Sequence, residues 1–413
     1  MARILAYTSP ARSHLFPLTP ILDELHGRGH EVVLRTLASQ IELMQARGFA
    51  VAPIDPQIEA IEHEDWRTSN PRESLRLNVK VFCARAEHDA PDLTQAIADT
   101  DPDAVLVDFN CWGSLMAAEA WGGPWAAFCP YPLPLPSKDA PPYGPGLAPA
   151  RGPLGHVRDR LIRRVVLSAM EGQMRPAING IRACSGLAPV STAEEWIAGA
   201  PLLLSMTAEP FEYPRRDWPG NVVMIGPCAW DPPADPPPWL EQTTGPIVLV
   251  NTSTEFQDDG RLVQVALEAL AGEPVTVVAT LPSGDPTQFE APANAHVERF
   301  ISHGAILERA ACAITHGGMG STQKALSHGV PVCTVPFGRD QLEVARRVEV
   351  ARAGTRLPAS RLNPERLRKK VRDAMAMTEG AQRIAAAYIA TGGARTAAGA
   401  FETRLLRQAA AKG

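Results

Sequence analysis

Short apolar runs alternate with helical periodicity through the first 130 residues. Arg3–Tyr7, Glu31–Arg35, Ala104–Val107 and Trp125–Phe128 are four or five residues long, mostly apolar, and predict buried strands. Helical patterns run from Leu18 to Gly29 and from about Trp112 to Trp121. Strand, helix, strand at this spacing predicts βαβ units and a parallel sheet. Residues 130–153 are rich in Pro and Gly and predict irregular backbone. A long loop over a site fits better than a linker, because helical pattern resumes at Val157.

The alternation begins again after residue 246. Ile247–Val250, Val275–Val278, Ala311–Ile314 and Val332–Val335 predict strands, and Arg261–Leu270, Thr322–Ser327 and Asp340–Ala353 predict helices. Between the two series lies Pro227–Pro246, with Asp231-Pro-Pro-Ala-Asp-Pro-Pro-Pro238 at its centre, a stiff extended segment and a hinge candidate. Two α/β halves joined by a Pro-rich connector are therefore expected. No short internal repeat is present, and Ala394–Ala411 predicts a terminal amphipathic helix.

Composition narrows the function. A chain of 413 residues has room for two or three domains. With 45% apolar and 21% charged residues, disorder is excluded. The net charge of −5 leaves no broad basic face for a nucleic-acid backbone. No apolar run approaches the roughly 18 residues of a membrane span. The N-terminus runs into a strand and does not resemble a signal peptide. Seven scattered cysteines, an odd number with no CxxC, point to reduced thiols in a cytoplasmic protein and against zinc.

Candidate chemistry is concentrated in a few βα turns. In Thr315-His316-Gly317-Gly318-Met319-Gly320-Ser321, a strand delivers His316, glycines admit a close ligand, and a helix is expected to begin at Ser321. The free N–H groups of a helix start attract anions such as a diphosphate. The plain structural alternative is a tight βα turn with a capping Ser. Some twenty residues later, Asp340-Gln341 open another helix and offer acceptors and donors suited to sugar hydroxyls, or simply an N-cap and a solvated amide. His14, in Ser13-His14-Leu-Phe-Pro17 after the first strand, is a general-base candidate near neutral pH, or a capping or solvated His. Asp108 ends the strand Ala104–Val107 at the same sheet edge and is placed to orient His14, or to cap the next helix. Asp101-Pro-Asp103 reads as a turn and Asp258-Asp259 as a cap, so no metal-binding carboxylate pair is expected.

These motifs resemble the nucleotide-sugar signature of the family 1 glycosyltransferases of the GT-B superfamily. The match runs from Phe300-Ile301-Ser-His303 through His316–Ser321 to Asp340-Gln341, in order and spacing, and Val250-Asn-Thr-Ser253-Thr254-Glu-Phe-Gln257 resembles the first strand-loop of the second half. Ser13-His14-x-x-Pro17 resembles the family's Gly-His-x-x-Pro. The resemblance covers essentially the whole chain and is strongest to bacterial enzymes acting on macrolides, aromatic polyketides and enediynes. It implies two Rossmann-like domains facing across a cleft: residues 1–226 for the acceptor and 227–393 for the donor, with 394–413 packed back on the first.

The resemblance also implies roles. His316, the backbone of Gly317, Gly318, Gly320 and Ser321, and Ser253 would bind the diphosphate of a TDP- or UDP-sugar. Phe300 and Ile301 would lie against the nucleobase, and Asp340 and Gln341 would hold the sugar. His14 and Asp108 would be the catalytic pair. No cofactor or metal is implied. Trp66, Phe82, Trp112 and Tyr131 are candidates for a small hydrophobic acceptor, with Tyr143 in the same Pro-rich loop as Tyr131. Lys324 stands where many relatives carry a ribose-binding Glu, and Val344 where Asn is common. A homodimer is left open. Two other readings stay in play: a nucleotide-sugar epimerase of the same fold, and a non-catalytic partner of a transferase. A nicotinamide dehydrogenase is disfavoured because Thr8–Ser13 holds no GxGxxG.

Overall fold

The computed structural model describes residues 1–407 apart from Ser69, Phe256 and Asp258. Its first half is a seven-stranded parallel sheet of β1 (Arg3–Tyr7), β2 (Glu31–Thr36), β3 (Ala50–Pro53), β4 (Ala104–Asp108), β5 (Trp125–Cys129), β6 (Leu203–Ser205) and β7 (Val222–Met224). The second half is a six-stranded parallel sheet of β8 (Ile247–Asn251), β9 (Thr276–Thr280), β10 (Ala295–Glu298), β11 (Ala310–Thr315), β12 (Val332–Thr334) and β13 (Gly354–Arg356). Strand orders are β3-β2-β1-β4-β5-β6-β7 and β10-β9-β8-β11-β12-β13. Each sheet reverses direction once, between β1 and β4 and between β8 and β11. Ligands of open α/β sheets bind at the carboxyl ends of strands beside such a point. The central strands β4, β5 and β8 are buried along their whole length, because helices cover both faces.

The doubly wound architecture and the principal strands agree with expectation, and several boundaries move. The stretch 55–85 that carries Trp66 and Phe82 was expected to be irregular, but its second half belongs to a 30-residue helix, Pro71–Thr100, with Asn70 capping Arg72 N at 3.0 Å and Pro71 in the first turn. Its apolar periodicity is broken because one face, with Arg72, Ser74, Asn78 and Arg85, lines a cleft rather than a core. The helix at the glycine-rich turn begins at Met319, two residues earlier than expected, with Gly318 as N-cap. Asp259 stands at an N-cap but its carboxylate accepts from Ser253 N at 2.7 Å instead; its neighbour Asp258 lies outside the described residues. The terminal helix spans Ala394–Phe401 and continues as a π turn, Glu402–Leu406; of the expected Ala394–Ala411 segment, the end lies outside the described residues. Its Glu402 meets Arg28 at 2.8 Å and His30 at 3.1 Å.

The halves are joined by more than the connector. Arg347, 1% exposed in the helix Gln341–Val350, pairs with Glu212 of the first half at 2.8 Å and with Glu343 at 2.9 Å, beneath the Tyr213 ring. Glu343 in turn accepts from Gly144 N and Gly146 N of the Pro-rich loop, at 2.8 and 2.9 Å. Gly146 has φ +59°, and a Cβ there would meet Leu342 O at 2.4 Å, so only glycine fits. Gln323 adds a bond to Met206 O at 2.8 Å.

Removing Arg347 takes the nearest cation from two buried carboxylates and leaves Glu212 with Arg215 at 3.4 Å. Arg347→Met is expected to lower stability by about 3–5 kcal/mol, read from denaturant unfolding. A loss under about 1 kcal/mol would show that the halves do not depend on it.

Candidate active site

A large cleft of about 1330 Å³ opens between the two sheets. It is lined by His14, Asn110 and Tyr131 from one half, and by Ser253, His316, Gly318, Gly320, Ser321, Asp340 and Gln341 from the other. Each wall includes the carboxyl ends of strands and the turns that follow them.

On the first wall, β1 ends into Thr8–Ala11, and the helix Arg12–Gly27 carries His14 in its first turn. β4 ends on Asp108, which is 1% exposed. Its carboxylate oxygens lie 2.9 and 2.8 Å from His14 Nδ1, and accept from Ser9 N at 3.1 Å, Ser9 Oγ at 2.7 Å and Asn110 N at 3.0 Å. Burial favours a neutral carboxyl, but His14 and these donors outweigh it and hold Asp108 below its ordinary range. Burial likewise pushes the His14 imidazole down, while Asp108, Glu255 and Asp340 hold it above its ordinary value. The capping alternative for Asp108 is met in part by Asn110 N, without displacing the imidazole.

On the second wall, Gly317 has φ +90°, and a Cβ there would press on Gln341 at 3.2 Å. Gly318 passes so close to His316 that a Cβ would lie 2.3 Å from Nε2. The helix Met319–Ser327 has no side-chain cap, and its first closing bond is Thr322 N to Gly318 O at 3.1 Å. That leaves the N–H groups of Met319, Gly320 and Ser321 at the mouth. His316 is buried with Nδ1 unpartnered, and burial holds it below its ordinary value, hence neutral at pH 7. Ser253 Oγ accepts from Gln257 at 2.7 Å. Phe300 is an exposed aromatic at the rim, whereas Ile301 faces the cleft from the core. Asp340 sits at the N-cap of the helix Gln341–Val350 without capping it, and burial raises its carboxyl. Gln341 is committed within the protein: Oε1 accepts from Phe337 N at 2.7 Å and Gly338 N at 3.1 Å, and Nε2 donates to Gln257 at 2.7 Å. The solvated-amide alternative therefore does not hold.

The aromatic candidates converge. Phe82 stacks on Trp112 with centroids 4.9 Å apart, and Trp112 meets Trp196 edge-on at 4.9 Å. Trp66 lines the outer cleft with Arg67 over its ring. Tyr131 stands 6.0 Å from the His14 ring, and Tyr143 also faces the cleft.

Several residues escaped sequence reasoning. Arg339 has φ +53°, a strained conformation for a side-chain-bearing residue. Its fork grips Asp65 of the first half at 2.8 and 2.9 Å and reaches Glu255 at 3.0 Å, a bridge between the two walls of the cleft. Lys324 pairs with Asp231 and with Trp230 O from the connector, so the charge at that position is answered locally. Trp196 and Asn110 carry no motif; only the fold brings them in. Among the described residues, no group of three or more His, Cys, Asp or Glu is placed to hold a metal, and no helix is long and apolar enough to cross a membrane.

Known proteins share this arrangement. Residues 264–399 match the C-terminal domain of the erythromycin biosynthesis protein CIII-like family. The 4'-demethylrebeccamycin synthase of Lentzea aerocolonigenes is 33% identical over 392 residues, covering 90% of this chain and 91% of that protein. The crystal structure of the kitacinnamycin glycosyltransferase superimposes with a TM-score of 0.73 at 21% identity, over 98% of this chain and 99% of that one. The glycosyltransferase VinC, solved in complex with dTDP, gives 0.69 at 21% identity over 98% and 100%. Likeness of 33% identity along nine-tenths of the 4'-demethylrebeccamycin synthase, on two parallel sheets that meet at their strand ends, places the chain in the natural-product glycosyltransferases of family 1, with the GT-B fold.

Proposed function

We propose that this glycosyltransferase inverts: it moves a sugar from a TDP- or UDP-sugar directly onto a hydroxyl of a small hydrophobic natural product. One observation carries the reading. A half-buried His14 on a buried Asp108 stands on one wall of a cleft whose other wall holds an uncapped helix start beside a neutral histidine. The dTDP complex of VinC supports a thymidine nucleotide.

In this reading His14 Nε2 takes the proton of the acceptor hydroxyl as the oxygen attacks the anomeric carbon. The bond from that carbon to the diphosphate oxygen breaks, and its electron pair leaves with the nucleoside diphosphate. Asp108 keeps the Nδ1 proton in place and stabilises the imidazolium. The leaving charge is met by the N–H groups of residues 319–321, the helix dipole and a donated N–H of His316, with Ser253 alongside and no metal ion. Asp340 accepts from sugar hydroxyls, while Gln341 braces the loop that presents it. Phe300 and Ile301 flank the base. Phe82, Trp112, Tyr131 and Trp66 form an acceptor wall suited to a flat apolar molecule. Seven unpaired thiols support a reducing, cytoplasmic setting.

His14→Ala is expected to cut turnover roughly a hundredfold or more while donor affinity by calorimetry barely changes. Near-normal turnover on a hydroxyl acceptor would remove His14 from the base role.

His316 supplies a pH test. Its value is depressed in the free enzyme, and a bound diphosphate raises it, so binding takes up a proton. Affinity for an intact nucleotide-sugar, whose diphosphate does not titrate near neutrality, should strengthen as pH falls from 8 to 6. His316→Gln should flatten that dependence and weaken binding. A flat wild-type profile would place the diphosphate away from His316.

A further inference from the structure

His14 Nε2, the atom assigned to take the proton, is already occupied. Asn110 Nδ2 lies 3.3 Å from it, and Asn110 Oδ1 accepts from the Tyr131 hydroxyl at 2.8 Å. The polarity of this chain is set at both ends. Asp108 is held ionised and can only accept, so Nδ1 of the neutral imidazole carries the proton and Nε2 the lone pair. Toward a lone pair the amide must present N–H, which turns its oxygen to Tyr131. Burial holds the Tyr131 phenol well above its ordinary value, so it stays protonated and needs that oxygen as acceptor. A flipped amide would leave the Tyr131 proton without this partner. One short loop serves both edges of the ring, since Asn110 N also donates to Asp108 Oδ1.

We infer that Asn110, aimed by Tyr131, is a positioning residue of the transfer: its amide N–H holds the place at His14 Nε2 that the acceptor's O–H takes. The inference rests on His14 being the base. At 3.3 Å the bond is at the long end of the hydrogen-bond range, so an incoming hydroxyl displaces it at little cost. Until then the amide favours the neutral ring, because only the neutral form has a lone pair to receive it. That matters because the charged groups facing His14 are mostly acidic: Asp108 at the end of β4, Glu255 in the loop after β8, and Asp340 before the helix Gln341–Val350. Arg339 offsets Glu255 from the same side. Burial opposes protonation, and Asn110 adds to it from the ring's own surroundings. The same geometry asks for a nucleophile that donates a hydrogen bond.

The sign of the effect follows. Removing a donor to Nε2 destabilises the neutral imidazole, so the folded value rises and less free base remains at a given pH. The variant Asn110→Ala should move the acid limb of kcat/KM up by about half to one pH unit, a loss of roughly three- to tenfold on that limb. With Asn110→Asp, which puts an acceptor at Nε2, the limb should move further up; with Tyr131→Phe, which only frees the amide to turn, less. A residue that merely props the loop would lower rates at every pH and give no such order.

The experiment pairs the kinetic profiles with NMR titration of the His14 ring in the full-length, histidine-labelled protein, the resonance assigned by its loss in His14→Ala. Matching upward movement in both, in the order Asp, Ala, Phe, is the expected result. An unmoved His14 titration in Asn110→Ala and Tyr131→Phe alike would overturn the inference. A His14 titration that moves while the kinetic limb stays fixed would leave the pairing intact and overturn the base assignment beneath it. Should Asn110→Ala fold poorly, Tyr131→Phe, which keeps the ring and its packing, decides the same question.

Discussion

The structure depends on one constraint: two parallel sheets must present their strand ends to each other and stay there. A Pro-rich connector cannot enforce that. The buried Arg347–Glu212–Glu343 network does, because its Arg347–Glu212 pair crosses between the halves where water does not reach. Glu343 also fastens the Pro-rich loop through Gly144 N and Gly146 N. At the other edge Arg339 reaches Asp65, with the guanidinium more exposed than that of Arg347. The two halves are thus tied at two places, by Arg347 within the helix Gln341–Val350 and by Arg339 just before it.

Within that frame two histidines are driven in opposite directions. Both are withdrawn from water, which disfavours the imidazolium. For His316 burial outweighs the opposing pull of Asp259, so the ring is neutral in the free enzyme and can gain a proton when a diphosphate arrives. His14 has Asp108 against Nδ1 and sits above its ordinary value, within reach of a role that needs a base. One residue type serves two purposes because the neighbours differ. The same acidic surroundings that strengthen His14 as a base also threaten to leave it protonated, and Asn110 acts against that.

Much of this was legible in the sequence. Buried parallel strands are continuous apolar runs, so β1, β4, β5, β8 and β11 stood out; short edge strands such as β3, β7 and β13 did not. The glycines before Ser321 and the His14 turn were visible because backbone geometry restricts residue choice there. The helix Pro71–Thr100 was hidden because its cleft-facing side chains break the apolar period. Asn110, Arg339 and Trp196 were silent for another reason. Their meaning comes from partners 96, 274 and 84 positions away, His14, Asp65 and Trp112, which no local pattern encodes. Gln341 was visible as a residue but not in its use, since a sequence cannot show that an amide is already engaged by Phe337, Gly338 and Gln257.

The central claim is a single displacement across the cleft, with the base and the leaving diphosphate on opposite walls. Product stereochemistry tests it most directly. The linkage formed from a donor of known anomeric configuration would be assigned by proton NMR early in the reaction, from the coupling at the anomeric position. The account predicts inversion, a β-linked product from an α-linked donor. A product that retains the donor's configuration would require a second displacement or a same-face mechanism, and would contradict the part given to His14 and Asp108.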